Sequence, residues 1–233
     1  MQKKFYIDGS WVEGVKHENL VAPHSGEVLA EIPIATIENL EEAIRAANNA
    51  ITQMEKLSSY ERSVILEQLV EQFKENRSKL AEILALEASK PLKAALGEID
   101  RTIATYKIAA EEAKRIYGET IPLDAVAGGE GRVTYTVRET VGVIGAITPF
   151  NFPFNLVAHK VGPAIAAGNT IVLKPASQTP LSAIALAEMI DKTDLPKGAF
   201  NLITGKGSQI GDALVKHPNV NAITFTGSPE VGI

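Results

Sequence analysis

From residue 141 onward the chain repeats one unit: a short, largely apolar run followed by a single helical stretch. The runs are VIGAI (143–147), TIVL (170–173), FNLI (200–203) and AITF (222–225), and residues 154–167, 181–190 and 208–215 between them have helical character. Runs this apolar leave no face for water, so they predict strands of a parallel sheet covered by helices on both sides. Right-handed crossovers then bring every strand-to-helix loop to one edge of that sheet. Open α/β sheets of this Rossmann-like kind hold ligands at that carboxyl edge. A site is therefore expected in four loops: ITPFNFP, LKPASQTP, ITGKGSQ and FTGSPE.

The upstream sequence is organised differently. FYIDGSWV carries an Asp8-Gly9 hairpin signal, and VLAEIPI (28–34) is a further strand candidate. Helices follow: one from 37 to about 52 capped by Thr36, one opened by the Ser58/Glu61 capping box and reaching about Asn76, and one over about 78–88. Pro91 opens the longest, running to about Tyr117. Val64, Ile65, Leu69 and Phe73, and later Leu92, Leu96, Ile99, Ile103 and Tyr106, recur at helical spacing and mark core-facing stripes. After the glycine-rich 128–131, RVTYTVR (132–138) alternates with period two and predicts a half-exposed strand that another sheet or a partner subunit must cover. The expected organisation is residues 1–118 as hairpin and helices of a cofactor-binding domain, 119–140 as a protruding oligomerisation strand segment, and 141–233 as the Rossmann-like core.

Composition narrows the chemistry. The chain has 233 residues and a net charge of −5, with no basic run to track a phosphate backbone, so nucleic acid is not an expected partner. No apolar stretch is long enough to span a bilayer, and MQKKFYIDGSW lacks the apolar region of a signal peptide; a cytoplasmic protein without a membrane partner is expected. Cysteine is absent, which removes disulfides, thiolate metal sites and any cysteine nucleophile from these residues. The four histidines are scattered without metal-ligand spacing, and no metal site is expected.

Each of the four loops admits a plain and a chemical reading. In FTGSPEVG, Gly227, Ser228 and Pro229 suit a helix start, and bare N–H groups there favour a phosphate. GKGSQIG (205–211) is GxGxxxG and not the ordinary dinucleotide fingerprint; it is either a tight turn or a flat surface for an adenine ring. Lys174 ends its strand before Pro175 and is either a solvated loop lysine or a cation aimed at ribose hydroxyls or a phosphate. Ser177 and Gln178 are neutral where an acidic residue would select ribose hydroxyls, so the phosphorylated cofactor stays admissible. In ITPFNFP, two prolines fix the backbone, and Phe150 and Phe152 are expected to anchor in apolar surroundings. What they immobilise is Asn151, either a simple turn residue or a pre-set neutral donor for an oxyanion.

Taken together, IDGSWV, ERSVILEQLVEQFKENRSKLAEILALEASKP, TPFNFPFNLVAHKVGPAIAAGNTIVLKPASQTP and FTGSPEVG resemble the aldehyde dehydrogenase superfamily, over essentially the whole chain. The nearest group is that of lactaldehyde and non-phosphorylating glyceraldehyde-3-phosphate dehydrogenases. The resemblance implies oxidation of a small aldehyde to a carboxylate with NADP or NAD. It further implies that Asn151 holds the oxyanion, that Ile147, Thr148, Pro149 and Phe150 line the cofactor, and that Lys174 binds ribose. By the same likeness Ser177 stands where many NAD-preferring members carry glutamate, Gly207 matches the adenine-side turn, and Gly227 and Ser228, with Val231 after them, match the pyrophosphate turn. A homo-oligomer, dimer or tetramer, is implied as well. The family's nucleophilic cysteine and general-base glutamate have no counterpart here, and the helix beginning at Ser228 has no second turn. The chain is therefore expected to be the N-terminal part of a longer enzyme, inactive alone. The alternatives are a non-catalytic nucleotide-binding or regulatory module and an interaction protein that uses the RVTYTVR edge.

Overall fold

The computed structural model describes residues 1–232. Strands β1 (Phe5–Ile7) and β2 (Ser10–Val12) form a hairpin whose two turn residues, Asp8 and Gly9, both take positive φ (52° and 68°). That is the turn whose twist matches paired strands, and Asp-Gly is a sequence that tolerates it. Strands β3 (His17–Val21) and β4 (Val28–Pro33) make a separate two-stranded sheet.

Four helices follow: α1 (Ile37–Lys56), α2 (Ser59–Glu75), α3 (Arg77–Glu87) and α4 (Leu92–Ala113). Both expected caps form. Thr36 exchanges hydrogen bonds with Asn39, and Ser58 with Glu61, so orphan N–H groups at each helix start are satisfied reciprocally. Helix α4 ends at Ala113, a turn short of the expected Tyr117. Tyr117 is exposed, so a longer helix would gain no packing, and at Gly118 the backbone passes so close to Thr136 O that any Cβ would clash.

The alternating region follows in order: β5 (Val143–Ile147), α5 (Asn155–Ala166), β6 (Thr170–Lys174), α6 (Pro180–Ile190), β7 (Phe200–Leu202), α7 (Asp212–Lys216), β8 (Ala222–Phe225) and a single turn, α8 (Pro229–Gly232). The expected helix over 208–215 is divided, a π-type turn (Gly207–Gly211) preceding α7. The sheet order is β2-β1-β7-β6-β5-β8. Strands β7, β6, β5 and β8 are parallel, and β1 joins β7 antiparallel, so the N-terminal hairpin extends the Rossmann-like sheet.

Successive strand residues feed opposite cores, as the pleat requires. Ala146, Ile171, Leu173 and Leu202 pack with α2 to α6, where Phe73, Tyr106 and Phe154 form the aromatic centre. Val143, Val172 and Ile203 pack with Phe5, Leu40, Ile44 and Leu214 on the other face. Within the helical layer Leu92 is exposed and Val64 half-buried, so each stripe is narrower than its spacing suggests.

Residues 119–140 run outside the sheet. The strand expected at 132–138 is not formed: a single bridge joins Thr120 to Tyr135, flanked by Ile121 N to Thr134 O (3.1 Å) and Thr136 N to Glu119 O (2.8 Å). Val133, Tyr135 and Val137 are 85%, 71% and 69% exposed, so the face predicted to be covered is bare. Alternation specifies a face but supplies no partner for it, and among the described residues nothing covers it.

Candidate functional site at the carboxyl edge of the sheet

The parallel strands end together at one edge, and hydrogen bonds continue the ladder past their tips. Thr148 N donates to Lys174 O (3.3 Å) and Thr226 N to Ile147 O (3.1 Å). Beside these tips lies a cleft of about 720 Å³, inside the roughly 300–1,000 Å³ span of small-molecule sites. Ile147, Ile223 and Phe225 come from the strands, and Gly207, Ser208, Gly211 and Val215 from the π-turn and α7. Val231 and Gly232 close it from α8. A Cβ placed on Gly207 or Gly211 would meet nothing within 4 Å, so that wall is open backbone that a flat ring can approach.

Lys174 is the buried cation of this cleft, whose outer lining also includes the exposed Asp212 and Lys216. Lys174 is 5% exposed, has no carboxylate partner among the described residues, and its Nζ donates only to Pro175 O at 3.1 Å. Burial lowers its pKa from the ordinary lysine value. An uncompensated buried cation is costly, and an anionic or polyhydroxyl ligand would relieve that cost.

The other expected residues fall in three places. Gly227 and Ser228 form the turn that leads into Val231. Ser177 is exposed, donates its hydroxyl to Gly205 O (3.0 Å), and borders a smaller hollow with Gly205, Lys206 and Glu18. Glu18 there is paired with Lys206 at 2.8 Å. Asn151 and Phe150 border a separate hollow of about 450 Å³ with Pro23, Glu87, Lys90, Gln178 and Thr179. Thr148 is buried with its hydroxyl unpartnered, and Pro149 is half-buried. The side-chain amide of Asn151 is exposed and makes no hydrogen bond to the described residues, so it is available to a ligand.

One expectation about this loop is corrected. Phe150 does not anchor in apolar surroundings; its ring is 55% exposed. Phe152 is held by cations instead, with Lys90 Nζ 4.3 Å and the Arg101 guanidinium 5.2 Å from its centroid. The buried anchor is Phe154, edge-on to Phe73 at 5.7 Å.

Sequence reasoning missed Phe225, Ile223 and Val215, which look like ordinary core residues until the sheet's open edge is known. It missed Lys160 as well. That lysine is 6% exposed, donates to Thr226 Oγ1 at 2.6 Å and ties α5 to the end of β8; burial lowers its pKa. A lone cation inside the apolar FNLVAHKVGPAIA was the available signal. Among the described residues no group of three or more His, Asp or Glu converges as a metal site would, and no helix is long and apolar enough to cross a membrane.

This combination of edge cleft, buried lysine and exposed asparagine coincides with a family profile. The profile of the aldehyde dehydrogenase family matches residues 11–233. The chain belongs to the aldehyde dehydrogenase family. It is 42% identical over 231 residues to 3-sulfolactaldehyde dehydrogenase of Priestia aryabhattai, covering 99% of this chain and 48% of the relative. It is 44% identical over 231 residues to lactaldehyde dehydrogenase of Methanocaldococcus jannaschii, covering 97% and 48%. The NADP-dependent glyceraldehyde-3-phosphate dehydrogenase of Bacillus halodurans C-125, solved with NADP, superposes with a TM-score of 0.96 at 37% identity, over 100% of this chain and 49% of that one. The chain thus spans about half the length of the aldehyde dehydrogenases it matches.

Proposed function

We propose that the polypeptide carrying this chain oxidises a small aldehyde to its carboxylate with NADP or NAD, this chain forming the cofactor-binding part. The observation that carries the reading is Lys174, a buried cation without a counter-ion in an edge cleft of suitable size, within a chain of this family. The nicotinamide, when bound, supplies a hydride acceptor. The chain's own residues bind and orient. Lys174 meets ribose hydroxyls or a phosphate, Gly207 leaves the adenine side open, and Gly227, Ser228 and Val231 border the pyrophosphate. Ile147, Thr148, Pro149 and Phe150 line the path toward Asn151. The Asn151 amide, already free of other bonds, donates to oxygen as negative charge develops on it.

The lining favours tolerance of a 2′-phosphate. Ser177 is neutral, and Glu18, the carboxylate on the same lining, is paired with Lys206. With no cysteine in this chain, a thiolate nucleophile is not among these 233 residues. Aldehydes of the lactaldehyde and 3-sulfolactaldehyde kind are the first substrates to try, after the names of the relatives. A homo-oligomer joined through residues 119–140, working in the cytoplasm, completes the reading.

The test is to supply the native polypeptide with NADP or NAD and each such aldehyde. Reduced nicotinamide and carboxylate should appear in equal amounts. Reversible cofactor binding without either product would favour a non-catalytic nucleotide-binding module.

A further inference from the structure

Helix α5 begins directly after the Asn151 loop and has no capping side chain of its own. Its first N–H groups are satisfied from outside. Glu98 of α4, fully buried, accepts from Phe154 N at 3.0 Å and Asn155 N at 3.3 Å through one carboxylate oxygen. Its other oxygen accepts from Lys90 Nζ. Lys90 in turn donates to the Asn151 carbonyl at 3.2 Å and lies over the Phe152 ring. One ion pair thus grips both ends of residues 151–155 and fastens them to a helix of the scaffold.

The backbone that delivers Lys90 is itself constrained. Ser89 takes a positive φ of 49°, uncommon for a residue with a side chain, and Pro91 fixes the next torsion. A buried ion pair contributes little net stability compared with well-packed apolar residues, so stability alone does not explain these charges. Placement does. The pair has the geometry to set where the Asn151 backbone, and hence its amide, sits.

We propose that Lys90 and Glu98 are positioning residues for aldehyde oxidation, clamping the 151–155 segment so that the Asn151 amide is aligned with the developing oxyanion. This rests on the reading of Asn151 given above. Glu98 lies off the Asn151 hollow and Lys90 borders it, and in this scheme each acts through the loop.

The test uses the native full-length polypeptide with Lys90→Met, Lys90→Arg and the double variant Lys90→Met/Glu98→Gln, which leaves no bare buried charge if the single variant folds poorly. Loss of the clamp should lower kcat by about tenfold to a hundredfold, the scale expected from misplacing a reacting group by about 1 Å, with cofactor Kd changed less than about twofold. Amide hydrogen exchange over 150–156 should accelerate about tenfold and stay unchanged in the sheet. Lys90→Arg, which keeps the cation and its donors, should restore most of both. In an Asn151→Ala background Lys90→Met should cost no further kcat, because two residues acting through one group are not additive. Unchanged loop exchange, or a kcat loss as large with Asn151 absent as with it present, would overturn the proposal. If the parent protein oxidises no aldehyde, the functional reading fails on that observation, and the exchange ratio still decides whether the clamp holds the loop.

Discussion

Lys174 shows what the sequence could and could not say about a single residue. Its position, at the end of a strand and before a proline, put it at the ligand edge, and the structure leaves it there, buried and without a carboxylate. Its burial was not legible, because nothing local distinguishes a solvated lysine from a trapped one. Replacing it by Met removes a buried charge while keeping the apolar stem. The variant should bind NADP at least about tenfold more weakly, in line with losing a charge-assisted bond, while its thermal midpoint holds or rises. A titration and a melting curve on one preparation check both. Phe150 and Phe152 teach the opposite lesson. Both were expected to bury their rings, yet one is bare and the other is held by Lys90 and Arg101, two cations from a distant stretch that local sequence does not connect to it.

At the scale of elements, caps written within a helix's own sequence were legible and caps supplied from elsewhere were not. Thr36 and Ser58 announce their helices. Helices α5 and α6, which follow β5 and β6, have no capping side chain and borrow carboxylates from the helical layer, Glu98 for α5 and Glu87 for α6. Glu87 is 1% exposed and accepts from Leu181 N (2.7 Å), Ser182 N (2.9 Å) and the Ser182 hydroxyl. Burial pushes its pKa from the ordinary 4.5 up to about 7, outweighing the hydrogen bonds that hold it down. The folded state therefore binds this proton more tightly than the unfolded chain. The resulting stability is fully present below about pH 4.5 and is lost as pH rises through about 7. Between about pH 5 and about pH 8 the parent should lose on the order of 3 kcal/mol relative to Glu87→Gln, read from denaturant midpoints of both at each pH. The strand expected at 132–138 failed for a related reason: its pattern was real, but the surface that would complete it is not among the described residues.

For the whole molecule, alternation from residue 141 was enough to predict a parallel sheet and the edge at which its strands end together, because crossover handedness leaves few arrangements. It could not show that β1 and β2 complete that sheet, which depends on a pairing of Tyr6 with Leu202 far apart in the chain. Val133, Tyr135 and Val137 leave an exposed apolar face on the 119–140 segment. Tyr135→Asp should lower the mass of the assembly in sedimentation if copies join there, and leave it unchanged if they do not. The same edge carries two separate hollows, one around Lys174, proposed to hold the cofactor, and one around Asn151, so binding and chemistry should be separable. The most direct measurement is cofactor Kd and kcat side by side for the native polypeptide and its Asn151→Ala variant. The account predicts Kd within about twofold and kcat lower by about a hundredfold to a thousandfold, the usual loss on removing one oxyanion donor. Cofactor binding that collapses with turnover, or turnover that survives, would contradict it.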